Sequence, residues 1–140
     1  EWKKNNLDGY GIYKFSDGRV YLGQWLENSM HGFGEFLWDD GKKYVGYYVE
    51  DKKEGFGMYM WNHPVRIYVG FWSNGKQHGV GKYIAVNYCK WGIWENGKRK
   101  TWLKSKDEAL GSLDEISKKF SKIMLMDGEQ IARLMMGDSE

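Results

Sequence analysis

Tyr21-Leu22-Gly23-Gln24-Trp25-Leu26-Glu27-Asn28-Ser29-Met30-His31-Gly32-Phe33-Gly34-Glu35-Phe36 is the stretch that decides the fold. Its opening returns as Tyr44-Val45-Gly46-Tyr47-Tyr48 and Tyr68-Val69-Gly70-Phe71-Trp72, and once more as Lys90-Trp91-Gly92-Ile93-Trp94, with Lys in the Tyr place. Its closing glycine pair, Gly32 and Gly34, returns as Gly55 and Gly57, then as Gly79 and Gly81. Gly9 and Gly11 belong to a leading copy whose Trp is Trp2. Two residues past each pair stands an aromatic: Tyr13, Phe36, Tyr59 or Tyr83. The period is about 23 residues.

Tyr21, Gly23 and Trp25 are spaced by two and therefore face one side of a strand; Gly32, Gly34, Phe36 and Trp38 do the same on the next. A polar loop from Glu27 to His31 joins the two strands. Asp17-Gly18 and Asp40-Gly41 supply the turn with positive φ that opens the following repeat. Glycine weakens a strand interior, so both members of each pair are expected to make room for Tyr and Trp rings of neighbouring strands. A single hairpin is marginal, and stability must come from stacking along the array.

These residues resemble the MORN (membrane occupation and recognition nexus) repeat, whose pattern is Tyr-x-Gly-x-Trp, a short loop, Gly-x-Gly-x-aromatic and a turn. The expected fold is mainly β: one elongated antiparallel sheet of stacked hairpins, with a C-terminal amphipathic helical tail. The array spans 1–102, as a partial repeat 1–20, repeats 21–43, 44–67 and 68–89, and a capping half-repeat 90–102, where Thr101 and Leu103 replace the glycine pair. The tail spans 103–140. The second repeat carries one extra residue around Asn62-His63-Pro64, so its turn should bulge; the third shows Asn87-Tyr88 in place of Asp-Gly. The chain opens at Glu1 within a repeat, which leads us to expect a longer polypeptide.

Composition agrees with many short strands: eight Trp, ten Tyr, 19 Gly and one Pro in 140 residues. A net charge of +2 is too weak to imply nucleic acid. The lone Cys89 rules out an internal disulfide and fits a reducing compartment. No apolar run approaches the roughly 20 residues of a membrane-spanning helix.

Alternation leaves a second face. It is mixed in the first full repeat (Leu22, Gln24, Phe33, Glu35, Leu37). In the second it is uncharged: Val45, Tyr47, Val49, Phe56, Met58 and Met60. The third presents Val69, Phe71, Ser73, Val80, Lys82 and Ile84. A solvated face should carry polar residues, so something is expected to cover this one. The tail is the nearest candidate. Capping boxes at Ser105–Glu108 and Ser112–Glu115 open helices, and Leu113, Ile116, Phe120, Ile123 and Met124 follow at helical spacing. A second short helix is expected over Glu129–Met136. Net charge is +5 up to Lys104 and −3 beyond it. The Leu113–Ile123 stripe is expected to dock on Val45, Tyr47, Val49, Phe56, Met58, Met60, Val69 and Phe71, or on a partner.

The other residues point to no catalytic chemistry. The glycine pairs precede strands, not the helix that a phosphate loop needs. His31 and His78 lie two repeats apart, too far to share a metal at about 2 Å. Cys89 has no ligand partner at suitable spacing, and no Ser/His/Asp set is present. Tyr21, Gly23, Trp25, Gly32, Gly34, Tyr44, Gly46, Gly55, Gly57, Tyr68, Gly70, Trp72, Gly79 and Gly81 are read as residues of the repeat structure, with no cofactor, no metal and no enzyme activity. Lys42-Lys43, Lys52-Lys53 and Lys98-Arg99-Lys100 sit at turns and tips. Such a row can contact an anionic membrane, although Glu50, Asp51 and Glu54 offset its field. The resemblance implies a scaffold or adaptor that binds other proteins in a cytoskeletal, ciliary or axonemal assembly in the cytoplasm. The Lys- and Asn-rich links are similar to those of ciliated protist members. Its alternatives are a phosphoinositide-binding peripheral module and the targeting domain of a larger enzyme such as a lipid kinase.

Overall fold

The computed structural model describes residues 2–3, 6–62 and 64–136. A short ladder joins β1 (Trp2–Lys3) to β2 (Asn6–Leu7); the side chain of Trp2 lies outside the description. One open antiparallel sheet of nine strands follows, each strand pairing with its neighbours in sequence. These are β3 (Gly9–Lys14), β4 (Val20–Leu26), β5 (Ser29–Leu37), β6 (Lys43–Val49), β7 (Lys52–Trp61), β8 (Arg66–Ser73), β9 (Lys76–Ala85), β10 (Tyr88–Glu95) and β11 (Lys98–Trp102). At about 4.8 Å per strand the sheet is roughly 40 Å across. The mainly β architecture expected from the repeat is the one observed.

The register shows what the repeat is for. Gly11, Gly23, Gly34, Gly46, Gly57, Gly70, Gly81 and Gly92 stand opposite one another in successive strands. They form a line of glycines straight across the sheet, which ends where Trp102 of β11 faces Gly92. The motif tyrosines lie flat upon this line. A Cβ on Gly34 would stand 2.6 Å from two ring carbons of Tyr21, and one on Gly57 equally close to the ring of Tyr44. No real Cβ tolerates that approach. Each ring reaches along its own strand, and its hydroxyl donates to the carbonyl three residues on: Tyr21 to Gln24 at 2.9 Å, Tyr44 to Tyr47 and Tyr68 to Phe71 at 3.0 Å.

Gln24, Tyr47 and Phe71 are also where the ladder to the next strand shifts register. Opposite them the following strand carries a bulge at the first glycine of each pair, with φ of +84° at Gly32, +82° at Gly55 and +95° at Gly79. This corrects the expectation that both glycines make room for rings. A Cβ at Gly55 would meet nothing within 4 Å, so there it is the left-handed backbone that calls for glycine.

The turns also differ from the sequence reading. The hairpins close at Glu27–Asn28, Glu50–Asp51, Asn74–Gly75 and Asn96–Gly97, with positive φ at both residues of each. These are two-residue type I′ turns, and Ser29 to His31 already belong to β5. Between repeats, Gly18 and Gly41 adopt φ of +100° and +96°. The Asp17 and Asp40 carboxylates accept the amides of Arg19 and Lys42 at 3.2 and 3.1 Å. Between β7 and β8 the ladder runs unbroken to Trp61 opposite Arg66, and the turn expected to bulge is the loop beyond it. His63 in that loop lies outside the described residues.

The tail is four short pieces: α1 (Lys106–Gly111), a 3₁₀ turn (Ser117–Phe120), α2 (Ser121–Met124) and α3 (Gly128–Met135). The expected single stripe from Leu113 to Ile123 is broken. Ser112 closes α1, donating its amide to Ala109, instead of opening a helix. Asp114 caps the 3₁₀ turn through the Ser117 amide at 2.7 Å. Ser105 caps α1, and Asp127 with Gln130 forms a capping box for α3.

The two glycine roles are separable by mutation. Gly34→Ala should destabilise the fold by about 2–4 kcal/mol, because rigid aromatic and backbone atoms occupy the space. Gly55→Asn should cost less than about 1 kcal/mol, since Asn tolerates the left-handed region. Urea unfolding of both variants checks this, and equal losses would contradict the assignment.

Candidate interaction surfaces

Each face of the sheet presents its own surface. On the motif face the rings interlock along the array. Within a repeat Tyr and Trp meet edge to face, as in Tyr21–Trp25 at 5.1 Å and Tyr68–Trp72 at 5.3 Å. Between repeats the same tyrosines meet the next motif: Tyr21–Tyr48 at 5.6 Å, Tyr44–Trp72 at 5.5 Å and Tyr68–Trp94 at 4.9 Å. Edge-to-face pairs of this kind contribute about 0.5–1.5 kcal/mol beyond their burial. Tyr21, Tyr44, Tyr48, Tyr68, Trp72 and Trp94 are buried, while Phe15, Trp25, Trp38, Tyr59, Trp61, Tyr83 and Trp102 remain partly open. Burial holds the phenols of Tyr21, Tyr44, Tyr48 and Tyr68 well above their ordinary value of 10.0.

Lys53 belongs to this face and not to a loop tip. It stands opposite Tyr48, and its Nζ lies 5.4–5.7 Å from the ring centres of Tyr44, Trp72, Tyr59 and Trp38. Four rings offer their negative faces to the ammonium, while burial pushes its pKa down. Other tip cations are matched locally: Lys42 with Asp40 at 3.4 Å, Lys43 with Glu35 at 3.5 Å and Lys100 with Glu95 at 3.0 Å.

On the second face the tail lies against the middle of the sheet. Val45, Phe56, Met58, Met60, Ile67, Val69, Val80 and Trp91 form one buried cluster with Ala109, Leu113, Met124, Ile131 and Met135. Each fully buried side chain of this size contributes about 1.5–3 kcal/mol. Phe120 stacks on Phe56 at 4.3 Å with the rings 7° from parallel, and touches Tyr47 and Phe71 edge-on at 6.1 Å. Ile123 packs beside it. Two expected residues fall outside the contact. Val49 is 44 % exposed, because it ends β6 beside the hairpin turn. Ile116 is 75 % exposed, because the chain breaks before the 3₁₀ turn and the helical phase is lost. Tyr47 stays 38 % exposed at the margin.

The residue that sequence reading missed is Lys82, only 4 % exposed. Its Nζ donates to the carbonyls of Met124 and Met126 at 2.8 and 2.6 Å and lies 5.1 Å from the Trp91 ring. It closes the C-terminal end of α2, where carbonyls lack partners. Desolvation lowers its pKa, opposed by nearby Cys89 and Asp127. Its signal was a lone charge between Val80 and Ile84. Ile131 and Met135 lie on the second short helix expected over Glu129–Met136, and both are buried. Beyond the tail, Tyr10, Ile12, Phe33 and Leu37 stay exposed on β3 and β5.

No group of His, Cys, Asp and Glu able to hold a metal occurs among the described residues. His31 borders a small cleft with Leu26, Ser29 and Glu50, and Cys89 is exposed. No described helix is long and apolar enough to cross a membrane.

A meander of interlocked hairpins, aromatic on one side and braced by a helical tail on the other, is a repeat array that offers surfaces to other molecules. The MORN repeat family model matches residues 1–18, 21–43, 44–62 and 68–90, and the chain belongs to this family. MORN repeats are protein- and membrane-interaction modules, and proteins built from them are generally non-catalytic. No curated protein matches the chain.

Two measurements probe these faces. Lys82→Met leaves two buried carbonyls unpaired, and amide exchange protection in α2 and α3 should fall by about 2–3 kcal/mol while the sheet stays protected. Unchanged protection would remove Lys82 from the account of the tail. The raised phenols make stability pH-dependent on the alkaline side. Folding holds their protons, so the contribution is complete below pH 10.0 and is lost as pH rises above it, where the unfolded chain ionises first. Urea midpoints should fall from about pH 8 to about pH 11, and less so in Tyr48→Phe.

Proposed function

We propose that this protein is a non-catalytic scaffold or adaptor that engages a protein partner through its aromatic face, within a cytoskeletal or ciliary assembly. One observation carries the reading. The apolar middle of the second face is occupied by the protein's own tail, whereas among the described residues no helix or second sheet packs on the partly open rings of the aromatic face. Aromatic and Arg side chains dominate binding energy in protein interfaces, and this face is rich in both. The tail acts as a brace, closing the side of the sheet that would otherwise expose Phe56, Met58 and Val69. The cytoskeletal and ciliary setting is supported by the family resemblance of the repeat links.

A membrane role predicts a different dependence. The tip cations that would meet headgroups are largely matched by carboxylates or, for Lys53, turned into the rings. The test compares retention on a detergent-extracted cytoskeletal fraction of ciliated cells with co-sedimentation on phosphatidylserine vesicles. Retention is expected on the cytoskeletal fraction, falling more than about tenfold in Trp38→Ala and little in Lys52→Ala. Vesicle binding that is lost in Lys42→Ala and Lys52→Ala and in high salt, with no cytoskeletal retention, would overturn the proposal.

A further inference from the structure

At its C-terminal end the aromatic face opens into a cavity of about 430 Å³, walled by Trp61, Tyr83, Trp94 and Trp102. Departures from the repeat create it. In the preceding repeat the same place is filled from within: Lys53, opposite Tyr48, sits among Trp38, Tyr44, Tyr59 and Trp72. Here the residue opposite Trp72 is Gln77, which is shorter and uncharged. The fourth motif also has Lys90 where a tyrosine should lie over the glycine line, so over Gly92 the nearest side chains are Trp94 and Trp102.

The charge of the cavity selects its guest. Arg66 lies 5.4 Å from the Trp61 ring at one end and Arg99 lies 4.2 Å from the Trp102 ring at the other. Lys90 stands between them, 5.3 Å from Trp102 and 5.6 Å from Tyr88. No carboxylate lines the cavity, and neither arginine forms an ion pair among the described residues. A cationic guest is therefore repelled, even though the walls are aromatic. The ends are set by the Tyr88 and Trp94 rows of β10, six residues apart, or about 20 Å at about 3.3 Å per residue. That is the reach of a short extended peptide.

Resting on the reading of the aromatic face as a protein-binding surface, we propose that this slot takes an extended acidic peptide segment of a protein partner. A carboxylate binds Arg66 at one end and another binds Arg99 at the other, with apolar or aromatic side chains against the tryptophans between. Guanidinium groups bind carboxylates in two-pronged geometry; Arg99 and Arg66 are held over indole rings, Arg66 also through its Nε donating to the Pro64 carbonyl at 3.4 Å. The groove runs about 20 Å between the half-buried Arg66 and the exposed Arg99, and it fits a chain laid along it better than a flat headgroup layer.

The test uses the whole chain and a labelled, end-blocked hexapeptide, Glu-Leu-Thr-Leu-Tyr-Glu, followed by fluorescence anisotropy, with the same peptide carrying Lys at both ends as control. The glutamate peptide should bind at least about tenfold more tightly than the lysine one. Arg66→Ala and Arg99→Ala should each weaken it about tenfold, Arg99→Lys should restore part of the loss, and Lys52→Ala should leave it unchanged. Failure of the glutamate peptide to bind, equal binding of both peptides, or indifference to both arginines would overturn the proposal. So would phosphatidylserine-vesicle binding that depends on Arg66 and Arg99 in place of peptide binding. Cytoskeletal retention that persists and still needs Trp38 would then show that only the slot, and not the binding face, had failed.

Discussion

A tyrosine ring laid flat along its own strand, with its hydroxyl tied to the carbonyl three residues on, leaves no room for a side chain beneath it or on the neighbouring strand. The line of glycines from Gly23 to Gly81 follows from that constraint. It places the backbones and rings of adjacent hairpins in direct contact, and it fixes the register, since a slip of one residue would put a Cβ under a ring. The bulge at the first glycine of each pair belongs to the same device, because it lies opposite the carbonyl that the tyrosine hydroxyl reaches. Hydrogen bond, bulge and ring contact form one unit, repeated at the β4–β5, β6–β7 and β8–β9 hairpins.

The unit satisfies only one face. Rings on that side bury one another, and no further layer is needed there. The opposite side receives whatever residues alternate with the motif, and in the middle repeats these are Val, Met and Phe. An open sheet cannot close on itself as a barrel does, so a second layer must cover them, and the tail supplies it in short pieces bent to the sheet. Phe120 stacked on Phe56 and Lys82 under the end of α2 position that layer, one through shape and the other through charge. A buried ammonium is costly unless its hydrogen bonds are made, and here two carbonyls that a helix end leaves unpaired supply them.

Strands, pairing order and the tyrosine-glycine logic were legible because they recur at a fixed period, and recurrence separates signal from chance. What was not legible depends on three-dimensional neighbours that no period reports. Gly55 and Gly57 look alike in sequence, yet one answers to φ and the other to a ring. Lys53 beside Lys52 reads as a solvated tip, and only the pairing with Tyr48 turns it onto four rings. Ile116 fits a helical stripe on paper, but the chain breaks at Ser112 and its phase is lost. Val49 has the right parity for the second face and lies past the edge of the tail. The tail's destination on Val45, Met58 and Val69 could be anticipated from an uncharged patch, whereas its fastening by Lys82 could not.

A repeat that packs well has little space to offer, since each ring is fitted to the next. Space appears where the pattern is relaxed. The loss of a tyrosine at Lys90, the shorter Gln77 in the place of Lys53, and Trp102 at the end of the glycine line all fall in the last hairpins, where no further copy must be accommodated. There, substitutions that would be destructive in the middle of the array cost only the contact to an absent neighbour. The end of a solenoid can thus carry chemistry that its interior cannot, and in this protein that end gathers Arg66, Lys90 and Arg99 around indole rings. The regular part builds a rigid frame, and its last, irregular hairpins give that frame a distinct surface.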